Sequence, residues 1–222
     1  MANSDDDEGP QNMEDGNEDE DNEDDAEDED NEDDAEAEDN EDSEEDANGE
    51  DEEGNEDQID VSWILVRPVP GLNLQNQPIL LRESFNLLRS SFGSMGILLE
   101  EIICGAQELD GFETCLVLHE GEVVSAATVR IFHAHHIAEI PLVATHHAFQ
   151  GWGFCRILMD NLDGFLLTEG VTDVYLPSCF DVETMWNRFG FHRIPDEQLE
   201  IVLQTVPILT FHDTAMCHKH IL

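Results

Sequence analysis

Positive charge is what this sequence has least of. Of 222 residues, 8 are Lys or Arg and 54 are Asp or Glu, a formal net charge of −46. Residues 1–60 hold 35 of the acids and no Lys or Arg; residues 61–222 hold 19 acids and all 8 bases, a net charge near −11. Such a surface repels nucleic-acid phosphates, so direct nucleic-acid binding is excluded and a basic protein or peptide is the natural partner. Cysteine is scarce and scattered. Cys104, Cys115, Cys155, Cys179 and Cys217 are odd in number and include no C-x-x-C pair, so no zinc finger can be built from them. They read as reduced, mostly buried thiols of an intracellular protein. No apolar run approaches the ~18 residues of a membrane span, and the polar, acidic start is unlike a secretory signal.

What residues 1–60 do contain is a nine-residue repeat: D-N-E-D-D-A-E-D-E from Asp21, D-N-E-D-D-A-E-A-E from Asp30 and D-N-E-D-S-E-E-D-A from Asp39. With apolar residues nearly missing, nothing offsets the ordering entropy, and like charges repel. This stretch reads as a disordered acidic tail, either a solvating segment or an electrostatic lure for histones and other basic proteins. Residues 61–222 read as one folded domain of sufficient length for a core.

Within that domain, Val61–Arg67 reads as a strand ended by Pro68, Pro70 and Gly71. A helix starts near Pro78, with Leu80, Leu81, Phe85, Leu88 and Phe92 at helical spacing. A shorter helix is predicted around Ile97–Ala106. Phe112–Leu118, Val123–Phe132 and Ile137–Thr145 read as an antiparallel meander. Val171–Leu176 is the next strand, ended by Pro177. Asp181–Arg188 is a short helix. A closing hairpin is expected from Ile201–Val206 and Ile208–Cys217. His133, His135, His136, His146 and His147 read as polar turn residues rather than a metal site, because no carboxylate–His pattern accompanies them.

The chemistry concentrates between Ala138 and Arg156, A-E-I-P-L-V-A-T-H-H-A-F-Q-G-W-G-F-C-R. A strand breaks at Thr145–His147, a loop carries Gly151 and Gly153, and a helix follows, legible from Leu158, Leu162, Phe165 and Leu166. Strand, glycine loop and helix N-terminus make an anion site. Backbone N–H groups of Gly151, Trp152, Gly153, Phe154 and Cys155 would face phosphates, with Gln150 at the loop entrance and Arg156 adding charge in the first turn. Pro141 inside the preceding strand argues for a bulge or an edge there.

The run Gln150-x-x-Gly153-x-Cys155 resembles the Q/R-x-x-G-x-G/A cofactor motif of the GNAT N-acetyltransferase superfamily. Ala138-Glu139-Ile140 and Ala144 stand at the same distances from Gln150 as in its histone acetyltransferases. The flanking L-H-E-G-E-V-V-S-A-A-T-V-R-I and W-N-R-F-G-F are most similar to the plant "increased DNA methylation" acetyltransferases, whose PHD finger has no counterpart among these cysteines. The resemblance implies a mixed α/β GNAT fold, largely antiparallel with one splayed parallel strand pair. It implies acetyl-CoA as co-substrate and lysine of histones or another basic protein as acceptor. It also implies a nuclear role in chromatin and transcription, although no basic import signal is present. Backbone groups of Val143 and Thr145 would bond the pantetheine arm, an N–H near Val143–Ala144 would meet the thioester oxygen, and Glu139 would be the general base. The family's tyrosine acid is replaced by Trp186, and an indole N–H is not a useful acid. The alternative is a weak or inactive GNAT domain serving as a CoA-binding or protein-interaction module, with an acidic histone-binding tail.

Overall fold

The computed structural model describes residues 60–221. The acidic-tail reading therefore lies outside the described residues, apart from Asp60. In chain order the elements are β1 (Val61–Val66), α1 (Ile79–Phe92), α2 (Ile97–Cys104), β2 (Phe112–His119), β3 (Glu122–Phe132), β4 (Ile137–Thr145), α3 (Phe154–Thr168), β5 (Asp173–Cys179), α4 (Glu183–Asn187), β6 (His192–Arg193), α5 (Asp196–Thr205) and β7 (Thr214–His220). Seven strands form one sheet in the order β1-β2-β3-β4-β5-β7-β6. Every pairing is antiparallel except β4 with β5.

Apolar patterning puts helices on both faces. α3 buries Phe154, Leu158, Met159, Leu162 and Leu166, one stripe at helical spacing, against Val117, Ala127, Ile140, Val174 and Leu176 of the sheet. On the other face α1 and α2 bury Leu81, Leu88, Leu99 and Ile102 against Phe112, Leu116, Ala126 and Leu142. A smaller cluster of Tyr175, Ile194, Val202, Val206, Ile208 and Met216 joins α5 to β5 and β7.

The meander holds as expected, and Pro141 sits in a bulge. β3 and β4 pair at Thr128↔Leu142 and again at Arg130↔Glu139, so Ile140 and Pro141 together oppose Val129. The bulge switches faces. Ile140 joins the core beneath α3, while Leu142 and Ala144 join the core beneath α1. Pro177 does not end its strand: β5 continues through it to Cys179, pairing with β7 at Pro177↔Met216. That is tolerated because β5 has left β4 by this point, so a missing N–H can face the open side.

The closing hairpin is a correction. Ile201–Val206 is not a strand; Ile201–Thr205 falls in α5, which starts after Pro195 with Asp196 and Glu197 in its first turn. Acids at a helix N-terminus and Leu199, Val202 and Val206 at spacings of three and four outweigh the β-branched pair Ile201–Val202. Strand pairing resumes only at Thr214. Residues 206–213 cross from the α5 cluster, where Ile208 is buried, to the α1 side, where Leu209 packs.

α3 ends in a paired C-terminal motif. Gly170 has φ +76°, its N–H donates to Leu167, and Val171 N–H donates to Leu166. Gly170→Ala forces a side chain into the left-handed region without a clash, the nearest atom to a new Cβ being 3.9 Å away. Urea unfolding should show a loss of about 1–2 kcal/mol at unchanged denaturant slope.

Candidate active site

The parallel pair is short. β4 and β5 are in register only at Ile137↔Asp173, Ala138↔Val174 and Glu139↔Tyr175. β4 then runs on with β3, β5 with β7, and the two leave a wedge-shaped gap in the sheet. Backbone polarity within the gap follows from the ladder. His146 N–H donates to Val124 O at 2.8 Å. Antiparallel pairs alternate, so Ala144 and Leu142 also turn their peptide groups to β3, and Val143 and Thr145 turn theirs into the gap. The peptide groups of Val143 and Thr145 thus point away from β3. Ala144 is a correction. Its amide belongs to the ladder, its carbonyl also accepts from Ser125 Oγ at 3.2 Å, and its methyl group is buried under α1. Of the two N–H groups considered for a thioester oxygen, only that of Val143 faces the gap.

The gap opens at its wide end onto the glycine loop. Gly151 and Gly153 have φ of +84° and +90°, conformations that free the loop to turn directly into α3. Trp152 N–H donates to Phe149 O, and the first i→i−4 bond of α3 is Ile157 to Gly153. Among the described residues, the N–H groups of Gly151, Gly153, Phe154, Cys155 and Arg156 have no protein acceptor. Trp152 therefore contributes no free N–H; its side chain is 66% exposed and stands edge-on to Phe149. Gln150 does more than mark the loop entrance: its Nε2 donates to Thr145 O at 3.3 Å, tying loop to strand end. Arg156 is exposed in the first turn, with its guanidinium over Phe189. Cys155 is half-buried, and burial pushes its thiol up to about 11, so it is a small neutral packing group.

At the narrow end sits Glu139, 1% exposed. Arg130 Nε donates to its Oε1 at 2.6 Å, with Nη2 2.5 Å from the same oxygen. Leu209 N–H donates to Oε2 at 2.6 Å. Glu139 is thus held by a cation and by the Leu209 N–H. Burial still pushes its carboxyl up, while the Leu209 N–H and Arg130 pull it down. A carboxylate has about four acceptor positions, and one on Oε2 is left without a protein donor. Arg130 escaped sequence reasoning altogether. Its position, nine residues before Glu139 on a strand paired with β4, was the available signal.

Trp186 and Tyr175 are core residues. Trp186 is buried with Phe189 and Phe191 beneath α3. Tyr175 lies in the α5 cluster against the His218 ring. His136 bonds Gly170 O and His146 accepts from Ala148 N–H, each a turn role. Among the described residues, no group of three or more His, Cys, Asp or Glu is arranged to hold a metal ion.

A sheet forked between its fourth and fifth strands, with a glycine loop and helix N-terminus at the wide end, defines the GNAT acyltransferase fold. Solved structures agree. Tetrahymena GCN5 aligns with a TM-score of 0.55 at 16% identity over 64% of this chain and 87% of that one. The catalytic domain of Tetrahymena GCN5 histone acetyltransferase in complex with coenzyme A aligns at 0.54 and 15% identity over 73% and 93%. A GNAT-family acetyltransferase from Staphylococcus aureus Mu50 aligns at 0.55 and 10% over 73% and 100%. Residues 97–220 match the family described as "Increased DNA methylation 1, C-terminal domain", and the chain belongs to that family. "Increased DNA methylation 1" of Arabidopsis thaliana is 34% identical over 115 residues, which are 50% of this chain and 9% of that protein. The chain thus spans about a tenth of the length of that relative.

The state of Cys155 is directly testable. With a thiol at about 11, roughly one molecule in a thousand carries the thiolate at pH 8. Native protein treated with a thiol reagent at pH 8 should label at the exposed Cys179 well before Cys155, read by peptide mass spectrometry.

Proposed function

We propose that this domain is an acetyl-CoA-dependent N-acetyltransferase that modifies lysine on histones or another basic protein, in a nuclear chromatin and transcription role. The observation that carries the reading is the parting of β4 from β5 with Val143 and Thr145 turned into the gap. An extended chain bearing two amides, such as pantetheine, suits that gap as an added strand suits a sheet edge. Its diphosphate end would meet the free N–H groups of Gly151, Gly153, Phe154, Cys155 and Arg156, favoured by the α3 dipole. In a domain of net charge near −11, backbone N–H groups, with Arg156 beside them, would supply the positive potential.

The acyl end then lies toward the bulge and Glu139. A lysine amine with pKa ~10.4 loses its proton at neutral pH at a cost of roughly 4–5 kcal/mol. Glu139 offers its one open acceptor position to that proton, through a water molecule. The amine nitrogen bonds the thioester carbon, Val143 N–H meets the oxygen as charge develops, and the carbon–sulfur bond breaks. The thiolate leaves as an anion and takes its proton from solvent, since no acid stands at Trp186. The acidic surface, and the tail read from sequence, suit a basic acceptor. The names of two similar proteins, a histone acetyltransferase and "Increased DNA methylation 1", support the same acceptor class and the nuclear setting.

One observation favours a second reading. Trp186 is 5% exposed and wholly committed to the core, so this domain lacks the usual acid. A CoA-binding or protein-interaction module without turnover, with the acidic tail engaging histones, would need none.

Acetyl transfer to a panel of basic peptides separates the readings. The wild type should turn over, and Glu139→Gln should lose 10²- to 10⁴-fold in kcat with acetyl-CoA binding retained. Acetyl-CoA binding without transfer by the wild type supports the second reading. Absence of acetyl-CoA binding defeats the first reading and the CoA-binding form of the second.

A further inference from the structure

Arg130 is a heavily engaged cation. It is buried on β3, yet five partners converge on it. Nε donates to Glu139, Nη1 to Glu108 O at 3.1 Å and Nη2 to Pro207 O at 2.9 Å. The rings of Phe112 and Phe132 lie 4.5 and 5.0 Å from Cζ. The segment it grips, Pro207–Leu209, also donates the Leu209 N–H to Glu139. Three parts of the chain, β3, β4 and this strap, are therefore tied at the residue where β4 parts from β5.

We propose that Arg130 is a positioning residue for acetyl transfer: its guanidinium fixes the Glu139 carboxylate and the Pro207–Leu209 strap as one wall of the acceptor side. The proposal rests on the acetyltransferase reading above and adds to it the residue that sets how the base is held. The fork is the reason for arginine. A single planar group reaches a carboxylate and two carbonyls in different directions, which an ammonium on a flexible stem does not. The charge has its own purpose. A carboxylate this buried drifts toward its neutral, proton-bearing form, which is useless as a base. Arg130 and the Leu209 N–H oppose that drift. Arg130 is the charged group that faces Glu139 from β3. From β5 the neighbour is the uncharged phenol of Tyr175, and the strap and Glu108 present backbone only.

The kcat/KM–pH profile of the wild type, Arg130→Met and Arg130→Lys, with a basic peptide as acceptor, tests this. Loss of the cation in Arg130→Met should move the acid limb up by at least one pH unit, so that below both limbs the rate falls about tenfold or more against wild type. Arg130→Lys keeps the charge and loses the fork. Its acid limb should stay within a few tenths of a unit while KM for the peptide rises about fivefold and kcat falls less. An acid limb in Arg130→Met that coincides with wild type overturns the proposal, and so does an unchanged peptide KM in Arg130→Lys. Should Arg130→Met show no cooperative melt, the Arg130→Lys measurement decides alone. A fully active Glu139→Gln removes the base and this proposal together, whereas an unshifted Arg130→Met removes this proposal only.

Discussion

The parting of β4 from β5 after three paired residues is the constraint on which the rest of the structure depends. A parallel pair buried between helices ordinarily continues, because each unpaired backbone group costs about 1–3 kcal/mol when water cannot replace the missing partner. Two prolines stand against continuation here. Pro141 forms half of a bulge on β4, and Pro177 removes a donor from β5. Once the strands diverge, each keeps its outer neighbour, β3 or β7, and the sheet stays whole around a notch. The notch has a polar lining that comes from ladder alternation alone: two residues of β4 must face away from β3. No special side chain is needed to build it.

The two ends of the notch differ in electrostatics. The wide end carries bare N–H groups and the positive end of α3, with Arg156 alongside. The narrow end carries a carboxylate under a guanidinium, with Phe112 and Phe132 against the guanidinium and the strap N–H on the carboxylate. On the proposed reading, a molecule with phosphates at one end and a thioester at the other would be oriented by this difference. The same arrangement holds apart two demands that conflict in an acidic protein. On the proposed reading, repulsion of anions by the surface would favour basic acceptors, while a few backbone dipoles, inside a short radius, would accept a diphosphate against that field.

Much of this is legible in the sequence. The alternation in β2 to β4, the helical stripe of α3, the glycines of the loop and the spacing of Glu139 from Gln150 are local patterns, and local patterns survive folding. Pro141 announced its bulge for the same reason. The legible part ended where two chain segments compete for one role. Ile201 and Val202 suggested a strand, but a helix start at Asp196–Glu197 and a core waiting for Val202 and Val206 decided otherwise. Trp186 invited comparison with a catalytic tyrosine, yet its packing with Phe189 and Phe191 makes it a core residue. Ala144 sat within the motif, but one step of alternation turned it to the ladder.

The sequence by itself determined the fold class, the family likeness and the succession of strand, glycine loop and helix start between Ala138 and Arg156. These follow from residue types at fixed short spacings, which set periodicity, turn geometry and backbone freedom without reference to distant parts of the chain. Tertiary structure alone decided the surroundings of Glu139. Arg130 lies nine residues away and Leu209 seventy, and only the pairing of β3 with β4 and the path of the strap out of α5 bring them to one carboxylate. How far burial raises that group, and how far a cation and an N–H restrain it, depends on distances that no linear pattern encodes.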